Sequence, residues 1–346
     1  MRLHLNFAIA ITLLASAGLA QQSSSAGPYK VVKTAKVGGA GGYDYVFADV
    51  DGRRLYIART GQQASRMSVY NLDTLEPAGE IPTTNSHGAV IDPKSNHGFI
   101  SSKPITMFDS KTMMPIQKIE VQGNPDGMLF DPSEQKVYIL SHQSPHITAI
   151  STKDGSVLGT VDIGGMPEQA AADGKGHLYV DVEDKDNIAV VDTKTLMITN
   201  HYDVAGKGGT CAGLALDAKN RILFAACRNP ANMVILSADD GKIITTLPIG
   251  TGTDGATFNP NTMEAFSSQG DGTLTVVKEN SPTSFVVEQT VQTMPGARTS
   301  TLDTKTNRVI LIGAEFGPPT PPAQPGGRAG RGAIIPDSFT IVAVGK

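Results

Sequence analysis

Short apolar strands separated by polar turns recur along this chain at a near-constant interval. The unit is an apolar run, then Asp or Asn with Pro, Gly and polar residues, then a second apolar run carrying an aromatic. It reads FADVDGRRLYIA from Phe47, VIDPKSNHGFI from Val90 and LFDPSEQKVYIL from Leu129. It returns as AADGKGHLYV from Ala171, LALDAKNRILFA from Leu214, TFNPNTMEAF from Thr257 and TLDTKTNRVILI from Thr301. The anchor residues Asp49, Asp92, Asp131, Asp173, Asp217, Asn259 and Asp303 are spaced by 43, 39, 42, 44, 42 and 44 residues. A period near that length is the repeat of a four-stranded β-propeller blade.

The rest of each repeat fits. A third strand follows the aromatic one, as in MSVYNLDT from Met67 and IAVVDTKT from Ile188, and ends in Asp/Asn turn residues. A fourth precedes a glycine, as in TVDIGG to Gly165 and TTLPIG to Gly250. No helical periodicity stands out. Isolated hairpins cannot bury a face, but radial stacking can. The expected fold is therefore all-β, a seven-bladed β-propeller. The seventh repeat lacks its fourth strand, and Tyr29–Val37 has no blade of its own. That N-terminal strand is expected to complete blade seven and close the ring.

Length alone, 346 residues, would suggest two domains. A repeat array makes it one, spanning 29–346. Residues 1–20 stand outside it: Arg2, an apolar run Phe7–Ala15 and the small residues of Gly18-Leu19-Ala20 read as a signal peptide cleaved near Ala20. Residues 21–28 are a short linker. No later segment is apolar enough to span a membrane. The mature chain is expected in the periplasm or outside the cell, as a monomer. A net charge of -4 and an exported location argue against nucleic acid as a partner.

The repeats resemble the YVTN-type propellers, which include the YncE-like periplasmic proteins. The resemblance rests on LYIA at Leu55–Ala58, VYIL at Val137–Leu140, LYVDVEDKDNIAVVDTKT at Leu178–Thr195 and strand entries such as Pro125-Asp126-Gly127. It covers nearly the whole mature chain, with blades two and six the poorest matches. It implies an exported seven-bladed ring with a binding role, and it supplies no catalytic motif.

Propeller geometry brings the start of each innermost strand and the end of the next to one mouth of the central channel. Pairing each hairpin symmetrically about its turn sets Asp44 against Arg59 and His87 against Ser102. It sets Asp126 beside Ser141 and His142, Glu168 near Glu183, Asp254 near Gln269, and Arg298 near Glu315. The candidate ligand-binding mouth is thus Asp44, Arg59, His87, Asp126, His142, Glu168, Asp254 and Arg298. Should it hold a divalent metal, the ligands would be Asp126, His142, Glu168 and Asp254. No tight HxH or HExxH spacing supports one, so no cofactor is expected. The same construction, with Leu216 opposite Ile222, sets Cys211 opposite Cys227 within disulfide range. An oxidising compartment favours that bond. The acidic run Asp181, Glu183, Asp184, Asp186 reads as a solvated loop.

The Pro/Gly-rich stretch 316–336, within blade seven, breaks the pattern and emerges at the same mouth, with Arg328 and Arg331 adding positive charge. No nucleophile–base set is legible. The expected function is non-enzymatic binding of an envelope protein, small molecule or peptide at the mouth. The alternatives are a metal-dependent lactonase or hydrolase using the channel carboxylates, and an accessory subunit of a periplasmic redox enzyme.

Overall fold

A computed structural model describes residues 26–61, 65–320 and 332–346. The expected leader with its cleavage site, most of the expected linker and the centre of the Pro/Gly-rich stretch, with Arg328 and Arg331, lie outside them.

Seven four-stranded antiparallel sheets make up the fold. In blade one the strands run outward as Gly42–Asp49, Arg54–Thr60, Arg66–Asn71 and Pro77–Pro82. The innermost strands of blades two to seven are Ala89–Asp92, Pro125–Asp131, Pro167–Ala172, Cys211–Asp217, Thr253–Asn259 and Thr299–Asp303. Blade seven takes its outer strand from the N-terminus: Lys30–Lys36 pairs with the C-terminal strand Thr340–Gly345. The ring therefore closes by main-chain hydrogen bonds between the two ends of the chain. Among the described residues the one helical element is a 3₁₀ turn at Glu183–Lys185, inside blade four.

The repeated Asp has a local cause. Asp49 accepts a hydrogen bond from the Gly52 amide (2.9 Å), Asp92 from Lys94 (2.9 Å), Asp131 from Ser133 (2.9 Å) and Asp217 from Lys219 (2.9 Å). The carboxylate thus fixes the turn between the first and second strands. Arg53, Asn96, Gln135, Arg221, Met263 and Asn307 close these turns at positive φ. In blade four Gly176 does so, one residue earlier.

Apolar residues fill the spaces between blades rather than a single centre. One cluster joins Val46 and Ile57 of blade one to Ile310, Ile312 and Phe339 of blade seven. Others join Tyr56 to Phe108, Ile139 to Phe99, Tyr138 to Leu178, and Tyr179 to Leu223. Phe224 with Ala265, and Phe266 with Leu311, complete the circle. Each blade is thus apolar on both faces, which explains the near-continuous apolar second and third strands.

Five innermost strands carry a bulge near their start. The register slips between Tyr43 and Val46, Pro125 and Met128, Pro167 and Ala170, Cys211 and Gly213, and Thr253 and Ala256. Each slip gives the inner strand one residue more than its partner. The bulged positions include Asp44, Asp126, Glu168, Ala212 and Asp254, so the bulges sit at the channel mouth.

Candidate functional site

One position per blade builds the mouth, five residues before each turn anchor. Around the ring these are Asp44, His87, Asp126, Glu168, Ala212, Asp254 and Arg298. Six of the seven are ionisable. A second set follows the end of each second strand and adds His142, Glu183 and Arg228.

These side chains form two runs of contacts. In the first, His87 Nδ1 lies 2.7 Å from Asp44 Oδ2 and 3.2 Å from Asp126 Oδ1. His142 Nε2 lies 3.1 Å from Asp126 Oδ2 and 3.0 Å from Glu168 Oε2. The second begins at Glu183, whose carboxylate is 2.6 Å from Arg228. Arg228 also pairs with Asp254, and Arg298 Nε lies 2.8 Å from the other Asp254 oxygen. The mouth is therefore divided. Blades one to four supply carboxylates and imidazoles. On the other side two guanidiniums are balanced by Glu183 and Asp254.

Below the ring, Tyr45 crosses from blade one to blade four. Its hydroxyl donates to the Glu168 carbonyl (3.1 Å) and faces Glu168 Oε1 at 3.3 Å. Gln169 Oε1 accepts from the amides of Leu214 (2.8 Å) and Ala256 (3.0 Å), tying blade four to blades five and six. A channel cavity of about 150 Å³ lies among Tyr45, Gly127, Met128, Leu140, Glu168 and Gln169.

The crowding shows in the proton affinities. Burial, with Asp44 and Glu168 adding negative charge, pushes the Asp126 carboxyl up to about 7. Burial pushes Asp254 up to about 6 against the pull of Arg298 and Arg228. The hydrogen bond to Glu168 and the charge of Asp126 hold His142 up at about 9. Burial works against a charge on His87, but Asp44 and Asp126 outweigh it and raise its affinity for a proton. Burial, then the charges of Glu168, Asp126 and Asp44, push the Tyr45 phenol well up.

Seven of the eight residues read from the sequence as the mouth lie on this assembly. Arg59 does not. Tyr43, not Asp44, is its cross-strand partner, because the bulge inserts a residue between them. The Arg59 guanidinium is 1% exposed and donates to the carbonyls of Gly38 (3.1 Å), Ala40 (3.1 Å) and Gly42 (3.2 Å). It also stacks 3.7 Å from the Phe339 ring centroid. It thus holds the glycine-rich segment that carries the chain from the closing strand to the axis. Gly38, Gly39 and Gly41 there all have positive φ.

Other pairings shift for the same reason. Ser141 opposes Pro125, and Gln269 opposes Thr253. In blade seven the register is regular, and it is the neighbouring blade's Asp254, not Glu315, that Arg298 pairs with. Of the four metal-ligand candidates, Asp126, His142 and Glu168 bring ligand atoms within 4.8 Å of one another. Asp254 belongs instead to the arginine side. Asp44, His87 and Asp126 form a second such group. Asp181 is no loop residue: it is fully buried in a strand, where it accepts from the Gln169 amide at 2.6 Å across the bulge. Glu183 pairs with Arg228, and Asp186 accepts from the Thr210 amide (2.9 Å).

Arg228 and Tyr45 belong to the site and were not singled out from the sequence. The signal for Arg228 was its place eleven residues after Asp217, matching His142 after Asp131. Cys211 and Cys227 are directly opposed and joined in a disulfide. Each immediately precedes a mouth position, Ala212 and Arg228, so the bond pins blade five where it meets the ring.

Comparison with known proteins adds the fold and stops there. No family model matches the sequence, and no curated protein matches it. Among solved structures the chain is similar to one from a crystal structure of a mitotic checkpoint complex, with a TM-score of 0.71. That match covers 89% of this chain and 96% of the other, at 10% sequence identity. Among the described residues no helix is long and apolar enough to cross a membrane. The chain is a seven-bladed β-propeller.

Proposed function

We propose that this protein is an exported, non-enzymatic propeller of the cell envelope that binds a ligand or partner at the polar mouth of its channel. The observation that carries the reading is the ring itself. Six blades place an ionisable side chain at one equivalent position, and these groups are buried or half-buried around a common axis. Convergent polar groups at the mouth of a closed β-structure are a usual site for ligands. The divided charge suits a ligand that offers a cationic group to blades one to four. The leader-like N-terminus and the Cys211–Cys227 disulfide support export. The YVTN-like repeat phrases support a binding role of the same kind, and the similar chain found in a protein complex supports a protein partner.

The test is a thermal-shift panel in EDTA with arginine, spermidine and short Lys- or Arg-containing peptides. The wild type is compared with an Asp44→Asn/Asp126→Asn variant. A saturable shift lost in the variant supports the reading. Shifts absent from the whole panel, or equal in the variant, contradict it. A second reading, a metal-dependent lactonase or hydrolase, draws on the grouping of Asp126, His142 and Glu168. It requires lactone turnover that depends on added metal and on those residues.

A further inference from the structure

We propose that Asp126, His142 and Glu168 bind one divalent transition-metal ion of the zinc or manganese class, through Oδ2, Nε2 and Oε2. This rests on the mouth being the binding site and names one of its ligands.

Three observations converge. First, the spacing fits. Zinc takes imidazole nitrogen and carboxylate oxygen at about 2.0–2.2 Å, so neighbouring ligand atoms in a tetrahedral site are about 3.4 Å apart. His142 Nε2 stands 3.1 and 3.0 Å from the two carboxylate oxygens, and the three atoms all lie within 4.8 Å of one another, close enough to converge on one ion. Three protein ligands leave a fourth position open.

Second, the cluster has more acceptors than cationic partners. One nitrogen of His142 faces Asp126 and Glu168, and one nitrogen of His87 faces Asp44 and the other Asp126 oxygen. Each nitrogen carries at most one hydrogen, so two hydrogens serve four contacts. The carboxylates of the arginine side are balanced by Arg228 and Arg298. Asp44, Asp126 and Glu168 have only the two imidazoles. The unmet demand for positive charge lies on the side where the ligand atoms converge.

Third, the far oxygens of both carboxylates are already held. Asp126 Oδ1 faces His87, itself 2.7 Å from Asp44, and Glu168 Oε1 faces the Tyr45 hydroxyl. Partners of this kind orient ligands before a metal arrives. The nitrogen donor favours zinc or manganese over calcium, which takes oxygen ligands. Asp254 is excluded because both its oxygens are engaged by arginines.

The test is calorimetric titration of the EDTA-dialysed full-length mature chain with zinc chloride and with manganese chloride. One ion per chain is expected, at micromolar affinity or tighter for at least one of the two. Glu168→Gln and His142→Gln should weaken binding by at least about 30-fold, and Tyr45→Phe, which keeps all three ligands, by about 10-fold. His146→Gln, at a separate imidazole–carboxylate pair with Asp162, should bind as the wild type does. Binding should release protons from the cluster, because an imidazole or carboxyl ligand must be unprotonated to hold the ion. Titration in buffers of different ionisation heat reads those protons. Melting of the metal-free variants shows whether they fold, and Tyr45→Phe carries the test should both ligand variants unfold.

No saturable binding of either metal overturns the proposal, as does binding that His146→Gln removes or that Glu168→Gln, His142→Gln and Tyr45→Phe leave unchanged. The panel in EDTA separates this from the broader reading. Shifts there without metal binding leave the mouth as a site and reject the metal. Metal binding without such shifts keeps the mouth as a metal site and rejects the cationic organic ligand of the broader reading.

Discussion

Raising the pH from 5 to 9 should destabilise this protein through its channel mouth, and Asp126→Asn should remove a large part of the fall below pH 7. Asp126 titrates near 3.8 in the unfolded chain and is pushed up to about 7 in the fold. Between those values the folded chain holds a proton that the unfolded chain has lost. Its stability therefore falls as pH rises through the window. His142 has the same sign in a later window. Its raised value of about 9 supplies stability that is complete below about 6.5 and lost as pH rises through 9. Asp254, at about 6, adds to the fall below neutrality.

At 1.36 kcal/mol per pH unit, the part of the Asp126 gap that lies above pH 5 is worth about 2.7 kcal/mol as a ceiling. Water reaching the mouth screens part of this, so about 2 kcal/mol is the working figure. An unfolding entropy of about 2.1 cal/mol/K per residue makes 1 kcal/mol about 1.5 °C for a chain of this length, so Tm should fall by about 3 °C. Carboxylates held low by their partners, such as Asp92, Asp173 and Asp303, lose their contribution below this range and do not compete. The assay is calorimetric melting at unit pH steps in EDTA at fixed ionic strength. A Tm that rises from pH 5 to 9, or the same slope in Asp126→Asn, would refute the reasoning.

Two further outcomes follow from the frame around the mouth. Replacing both Cys211 and Cys227 by Ser opens a short loop and should cost up to about 3 kcal/mol in denaturant unfolding; an unchanged midpoint contradicts this. Arg59→Ala leaves the carbonyls of Gly38, Ala40 and Gly42 without their donor, at about 1–3 kcal/mol in the same assay, while metal binding at the mouth stays as in the wild type. Loss of metal binding without loss of stability would put Arg59 back at the mouth.

The blade count and the ring were legible because the turn Asp repeats. Each Asp caps its own turn through a local hydrogen bond, so its position marks the register of the whole blade. Counting back five residues reached Asp44, His87, Asp126, Glu168, Asp254 and Arg298. Cross-strand partners were not legible, because a bulge leaves no composition signal. In blade one the turn pairing was right, and the bulge alone moved Arg59 from Asp44 to Tyr43. In blade five Leu216 opposes Leu223, not Ile222, and the bulge then shifts the register back so that Cys211 meets Cys227. Asp181 looked like part of a solvated acidic run. Its strand extends further than the pattern showed, and its carboxyl, pushed well up by burial, caps a bulge amide inside the blade.

The most direct test of the mouth as a binding site is native mass spectrometry of the protein isolated from its own cells. It is run beside the Asp44→Asn/Asp126→Asn variant prepared in the same way. The account predicts a non-covalent adduct of defined mass on the wild type that is missing from the folded variant. Bare wild-type protein, or an adduct retained by the variant, would contradict it.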